Sequence, residues 1–280
     1  MEVILSKYSG FCKGVDRAYR IALDTIEKES PIYILGDLVH NTEVVNELKK
    51  KGIAIIGDLS EIPQNKKATL MISAHGVGPG IIEEAKKRGL KVIDTTCPWV
   101  RKAQKIANEL SKDGYKVIIV GDKDHTEVRG LLGWAGQNAA VISDISELEK
   151  IPLYDKIGIL SQTTQSKEKF NSIVGSLIKK RIAALKAHNT ICEETAKRQE
   201  AAVELARNVD IMFVVGDVKS ANTKRLTELC AKTGTKTYQI HTVSELEPSL
   251  LEGVKKIGVT AGASTPESLI IEVMRKLKSL

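Results

Sequence analysis

The chain has 280 residues, 42% of them hydrophobic and only 4% aromatic, with 42 Lys and Arg against 35 Asp and Glu. This is enough for one large domain or two to three small ones, with a core of Val, Ile, Leu and Ala of the kind that buries parallel strands. No apolar run approaches the roughly 18 residues that cross a bilayer, so no membrane span is expected.

The start, Met1-Glu2-Val3-Ile4-Leu5, has neither the basic region nor the apolar length of a signal peptide. A cytoplasmic protein is therefore expected. Four cysteines in a reducing compartment argue for metal or redox chemistry and against a disulfide framework. Nucleic acid is one reading of the +7 charge, but the basic residues are spread through helices with no basic arm. Anionic substrates or an acidic partner protein explain it as well.

Taken in order, an N-terminal strand is followed by Cys12 and a helix whose Ala22 faces a sheet. The apolar run Ile32-Tyr33-Ile34-Leu35 ends at Gly36-Asp37, and His40 sits in the polar loop before a helix begun near Thr42. A Ser60-Glu61-Ile62 turn and another short strand lead to the loop Ser73-Ala74-His75-Gly76. Val92-Ile93 then runs into Thr95-Thr96-Cys97-Pro98-Trp99-Val100, with a helical pattern at Val100, Ala103, Ile106, Ala107 and Leu110. Cys97 thus stands where a strand stops and a helix starts, with proline at the first helical position. The positive end of a helix dipole favours a thiolate as ligand or nucleophile.

The same landmarks return twice. Cys12 to Gly36, Cys97 to Gly121 and Cys192 to Gly216 are each 24 residues (36 − 12, 121 − 97, 216 − 192), and each glycine opens a Gly-Asp pair after a buried run. Ala22, Ala107 and Ala202 each stand ten residues after a cysteine (22 − 12, 107 − 97, 202 − 192). Ser146-Glu147-Leu148 and Ser244-Glu245-Leu246 repeat the turn, and Ser161-Gln162-Thr163-Thr164 and Gly262-Ala263-Ser264-Thr265 repeat the small polar loop. The chain therefore reads as an α/β protein of three pseudo-symmetric domains, residues 1–96, 97–191 and 192–280, each with a small, mostly parallel sheet. A trefoil around a central site is expected, because function gathers at the carboxyl ends of parallel strands.

In that arrangement Cys12, Cys97 and Cys192 converge. No local C-x-x-C zinc spacing is present, and three soft thiolates suit an iron–sulfur cluster with one iron left open. Cys230 lies mid-helix without counterparts and reads as a buried small hydrophobe. His40, His75 and His125, with Thr163, Ser220, Asn222 and Ser264, form a set of donors beside helix N-termini, suited to phosphate. Glu127, two residues from His125, is the natural proton donor, and the competing reading is a helix-start acid. The Gly-Asp pairs read as structural, the aspartates capping the helices that follow. His188 and His241 receive no role.

Phe11-Cys12-Lys13-Gly14-Val15, His40-Asn41, Ser73-Ala74-His75-Gly76, Thr95-x-Cys97-Pro98, His125-x-Glu127, Gln162-Thr163-Thr164, Ser220-x-Asn222 and Gly262-Ala263-Ser264 together resemble the IspH/LytB family of 4-hydroxy-3-methylbut-2-enyl diphosphate reductases, end to end. The resemblance implies an oxygen-sensitive [4Fe-4S] cluster on Cys12, Cys97 and Cys192, which degrades to [3Fe-4S] on oxidation. It implies that the substrate hydroxyl meets the open iron and that His40, His75, Ser220, Asn222 and Ser264 hold the diphosphate, with His125 nearby. Glu127 with Thr163 would deliver protons, yielding isopentenyl and dimethylallyl diphosphate in the last step of the non-mevalonate isoprenoid pathway. Where the family often has a second serine, this chain has Ala221, which loses a hydroxyl and keeps the backbone N–H.

Two other readings stay open on sequence. A quinolinate synthase-like lyase also resembles a triplicated fold with three cysteines on a cluster, and a basic zinc-containing RNA-binding protein would account for the charge. The H-x-E and S-x-N loops favour the reductase. Its partners would be a small allylic diphosphate and an acidic electron donor such as a ferredoxin or flavodoxin, with no nucleic acid and no membrane. A monomer, or at most a homodimer, is expected.

Overall fold

The computed structural model describes residues 1–29, 31–64, 67–152 and 154–280. In chain order it contains β1 (Glu2–Leu5), α1 (Lys13–Ile26), β2 (Ile32–Leu35), α2 (Thr42–Lys50), β3 (Ile53–Ile56), β4 (Thr69–Ile72), α3 (Pro79–Lys87), β5 (Lys91–Asp94) and α4 (Pro98–Lys112). It continues with β6 (Lys116–Val120), α5 (Thr126–Ala135), β7 (Ala139–Ile142), β8 (Lys156–Ser161), α6 (Lys167–Ile178), β9 (Ala184–His188) and α7 (Glu193–Ala206). It ends with β10 (Ile211–Val215), α8 (Ala221–Ala231), β11 (Lys236–Ile240), β12 (Lys256–Ala261) and α9 (Glu267–Ser279).

The strands form three four-stranded sheets, β3-β2-β4-β5, β7-β6-β8-β9 and β11-β10-β12-β1. Every pairing among the described residues is parallel, as helix-length crossovers between apolar strands require. The strand order is the same in all three, with the first strand of each repeat beside the second and third. β1 pairs with β12 in the register Glu2↔Lys256 to Leu5↔Val259. The N-terminal strand thus takes the fourth place in the sheet of the C-terminal residues. Each candidate ligand cysteine consequently follows the fourth strand of a sheet: Cys12 after β1, Cys97 after β5, Cys192 after β9.

By its contacts the chain divides into two compact units. One comprises Met1–Asp16, Val39–Val45 and Glu193–Leu280, and the other comprises Arg17–Leu38 and Asn46–Cys192. In the first unit the odd positions of β10 (Phe213, Val215) meet Leu269, Ile270, Val273 and Leu277 of α9. The even positions (Met212, Val214) meet Ala202 and Ala206 of α7 with Leu226 and Cys230 of α8. This is the two-residue alternation of a strand covered on both faces. Cys230 is fully buried, and desolvation pushes its thiol up to about 12. It is the packing residue expected from the sequence.

In the second unit α4 buries Val100, Ala103, Ala107 and Leu110, the last three against Val117, Ile119 and Leu160. Ala22, Ala107 and Ala202 are all completely buried. One landmark escaped the sequence reading: Lys-Ile-Gly opens both β8 and β12. A Cβ at Gly158 would stand 2.7 Å from Leu110 Cδ2, so glycine lets α4 approach the strand. Two of the Ser-Glu turns are capping boxes on short 3₁₀ turns. Glu61 Oε1 accepts from the Gly57 and Asp58 amides at 2.7 and 3.0 Å, and Glu245 Oε1 from His241 and Thr242 at 3.1 and 2.8 Å. Among the described residues no helix is long and apolar enough to cross a membrane.

Candidate functional site

The three cysteines share one backbone setting. The amide of Cys12 donates to the Ala263 carbonyl at 3.1 Å, that of Cys97 to Ala74 at 3.0 Å, and that of Cys192 to Thr163 at 2.9 Å. In each case the acceptor lies two residues beyond the third strand of a sheet, past β12, β4 and β8 respectively. Cys97 is the N-cap of α4, with Pro98 opening the helix, and Cys12 Sγ accepts from the Val15 amide at 3.5 Å in the first turn of α1. All three are partly exposed, unlike Cys230. A thiolate at such a helix start has amides turned towards it, which suits a metal ligand.

The second unit gathers Cys97, Cys192, His75, His125, Glu127 and Thr163. Within this group Glu127 is 2% exposed. The Glu127 carboxylate accepts from Thr163 twice, from the amide at 2.7 Å and the hydroxyl at 2.8 Å. Burial pushes its carboxyl up to about 7, the Thr163 hydrogen bonds oppose that rise, and the Asp122 charge adds to it. A carboxyl of that kind holds or releases a proton at neutral pH. His125 is the N-cap of α5, its Nδ1 accepting from the Glu127 amide at 3.1 Å. The His75 and His125 rings meet edge to face at 5.4 Å between centroids. A cleft of about 370 Å³ opens at the ends of β2 and β4, lined by Gly36, Ser73, Gly76, Thr126 and Arg129 among others.

The first unit gathers Cys12, His40, Ser220, Asn222 and Ser264. Ser264 Oγ donates to the His40 carbonyl at 2.9 Å. Ser220 is the N-cap of α8 and accepts from the Thr223 amide at 3.3 Å. Asn222 is 4% exposed, yet neither its Oδ1 nor its Nδ2 has a hydrogen-bond partner among the described residues, and the same is true of Asn41 Nδ2. A buried amide left so costs about 1–3 kcal/mol, a burden native proteins carry where a ligand completes the bonds. An oxyanion fits the donor Nδ2 groups of both residues.

The aspartates do not cap the following helices. Asn41, whose Oδ1 accepts from Val44 at 3.0 Å, His125 and Ser220 do so. Asp217 instead turns its carboxylate to the Thr42 amide and hydroxyl at 2.8 and 2.6 Å. Burial opposes its ionisation, but these bonds and that from the Lys219 amide together hold its carboxyl below the usual range. Asp217 thereby anchors the segment that carries His40 and Asn41. Sequence reasoning missed that role, and also the place of Gln162, whose Oε1 accepts from the Asp122 amide at 2.9 Å. Their signal was present, since both lie inside repeated motifs, but a motif does not tell which groups its side chain meets.

The family described as LytB protein matches residues 3–278. The 4-hydroxy-3-methylbut-2-enyl diphosphate reductase of Geobacter metallireducens is 44% identical over 280 residues, covering 100% of this chain and 98% of the relative. That of Caldanaerobacter subterraneus subsp. tengcongensis is 40% identical over 282 residues, covering 100% and 98%. Among solved structures, the E-1-hydroxy-2-methyl-but-2-enyl-4-diphosphate reductase of Plasmodium falciparum aligns with a TM-score of 0.91 at 33% identity, covering 99% of this chain and 87% of that one. A second, the (E)-4-hydroxy-3-methyl-but-2-enyl diphosphate reductase that ends the non-mevalonate pathway, aligns with a TM-score of 0.70 at 36% identity, covering 100% and 99%.

Proposed function

The chain belongs to the LytB protein family, and on that footing we propose that it reduces (E)-4-hydroxy-3-methylbut-2-enyl diphosphate to isopentenyl and dimethylallyl diphosphate. The reaction takes up two electrons and two protons, breaks the carbon–oxygen bond and releases water. The full-length match to reductases decides against the quinolinate synthase-like lyase and the zinc-containing RNA-binding protein.

Cys12, Cys97 and Cys192 are assigned as the three protein ligands of a [4Fe-4S] cluster. The observation that carries this assignment is the common backbone setting of one cysteine per sheet. Three thiolates without a fourth equivalent are a soft donor set that leaves one iron for a non-protein ligand. When bound, the cluster supplies the electrons and a Lewis-acid iron.

The remaining roles belong to the side chains. In the first unit, His40, Ser220, Asn222 and Ser264 are assigned to the diphosphate, with the Asn222 amide, which has no hydrogen-bond partner among the described residues, as the clearest donor. In the second, His75 and His125 are assigned to the substrate's charge, and Glu127 with Thr163 to proton delivery. Proton transfer runs along the 2.8 Å contact between the Glu127 carboxyl and the Thr163 hydroxyl. Fixed donors and helix N-termini offset the substrate's charge and so restrict its orientation. Cytoplasmic residence, a monomer or homodimer, and an acidic ferredoxin- or flavodoxin-like donor complete the reading.

The test is anaerobic reconstitution with iron and sulfide, followed by assay with the allylic diphosphate and a strong chemical reductant. Iron uptake with consumption of substrate is expected. A chain that takes up no iron, or takes it up and leaves the substrate intact, would overturn the reading.

A further inference from the structure

We infer that Arg198 is a positioning residue for Cys12, replacing a tie that the other two ligand loops make with threonine. The inference rests on Cys12 being a metal ligand. Two residues before Cys97 stands Thr95, whose hydroxyl donates to the Ile72 carbonyl at 2.5 Å. Two residues before Cys192 stands Thr190, whose hydroxyl donates to the Ser161 carbonyl. Ile72 and Ser161 are the last residues of β4 and β8. Each threonine therefore fastens its cysteine loop to the end of the third strand of its sheet.

The equivalent position before Cys12 is Gly10, which has no hydroxyl. Its φ is +88°, and a Cβ there would stand 3.1 Å from Ile270 Cδ1, so both backbone and space call for glycine. The carbonyl at the end of the third strand is that of Ala261, and it accepts from Arg198 Nη1 at 2.8 Å. Arg198 Nη2 donates to the Gly10 carbonyl, also at 2.8 Å. One guanidinium thus spans the two backbone points that threonine joins elsewhere, and its planar fork suits the task. Arg198 is 2% exposed, so water does not compete for either bond. Arg17 makes a superficially similar contact to Thr95 and Thr96, but at 3.3 and 3.5 Å and from an exposed position, where Thr95 already fastens the loop.

The test uses the full chain in two states. In the metal-free protein, alkylation of each cysteine by iodoacetamide is followed by peptide mass spectrometry. In Arg198→Met, Cys12 labelling is expected to accelerate about tenfold, with Cys97 and Cys192 within about twofold of wild type; in the reconstituted protein, iron loss to a chelator accelerates about tenfold. A merely structural role would alter all three cysteines together. Uniform acceleration, or none, therefore overturns the proposal. Arg198→Lys, which keeps the stem and the charge but not the fork, shows the same Cys12-selective change at smaller size and decides the matter if Arg198→Met does not fold. Wild type that takes up no iron counts against the metal assignment, whereas labelling of the metal-free chain reports on the Arg198 tie alone.

Discussion

At Glu127 burial raises the carboxyl's affinity for a proton, and Thr163 holds the side chain in place. With its carboxyl raised from 4.5 to about 7, the folded chain binds a proton that the unfolded chain has released. Its contribution to stability is fully present below about pH 4.5 and is lost as pH rises through about 7, a change of about 3 kcal/mol. Glu127→Gln removes that slope. Urea midpoints of the metal-free proteins therefore converge at low pH, and the variant becomes the more stable above pH 7. Turnover of the variant falls at least about 100-fold at unchanged iron content, and wild-type turnover declines as pH rises past about 7. Cys97→Ser tests the proposed three-cysteine cluster: if one site needs all three thiolates, iron and visible absorbance should fall towards zero, whereas a partial loss would overturn the assignment.

Among the elements, the start of α8 and the segment Val39–Val45 carry the most information. Asn222, at the second position of α8, leaves both side-chain polar atoms without a hydrogen-bond partner among the described residues. Asn222→Ala should raise KM for the diphosphate by roughly 10- to 100-fold, the loss of a hydrogen bond to a charged group. The same substitution leaves thermal stability of the metal-free protein unchanged or slightly higher, since an unpaired buried amide is removed. An equal fall in Tm and affinity would show Asn222 to be structural. Asp217 acts on the other element. Its two bonds to Thr42 hold the strand-to-helix turn ahead of α2, so Asp217→Ala should cost about 1–3 kcal/mol and raise KM without altering the pH profile of kcat. Both effects arise because a helix N-terminus is a set of amides whose usefulness depends on what fixes its entry.

For the whole molecule, the excess of 42 basic over 35 acidic residues bears on the redox partner that a reductase requires. With an acidic donor protein, turnover should fall several-fold between low ionic strength and about 0.5 M salt, where the Debye length has shrunk from beyond 10 Å to a few ångström. With a small chemical reductant it should stay nearly constant. Equal salt responses with both reductants would remove the charge argument for an acidic donor.

Much of this was legible in the residues. Equal spacings from each cysteine to a Gly-Asp turn reveal a triplicated α/β unit, because a repeated strand–turn–helix needs the same small and polar residues at the same places. Burial of Ala22, Ala107 and Ala202 followed from helical period, and the inert character of Cys230 from its mid-helix position. Other features needed the folded chain. The place of β1 in the sheet of β12 joins residues from opposite ends of the chain, and local pattern carries no information on such pairing. The turning of Asp217 to Thr42, the pairing of buried Glu127 with Thr163, and the bridging of Gly10 and Ala261 by Arg198 are likewise contacts over large sequence separations. The unit, its triplication and the candidate ligands could be read from residue order alone, because they rest on local geometry. Which side chains hold those ligands in place could not, because that depends on which distant backbone groups folding brings within about 3 Å of a donor.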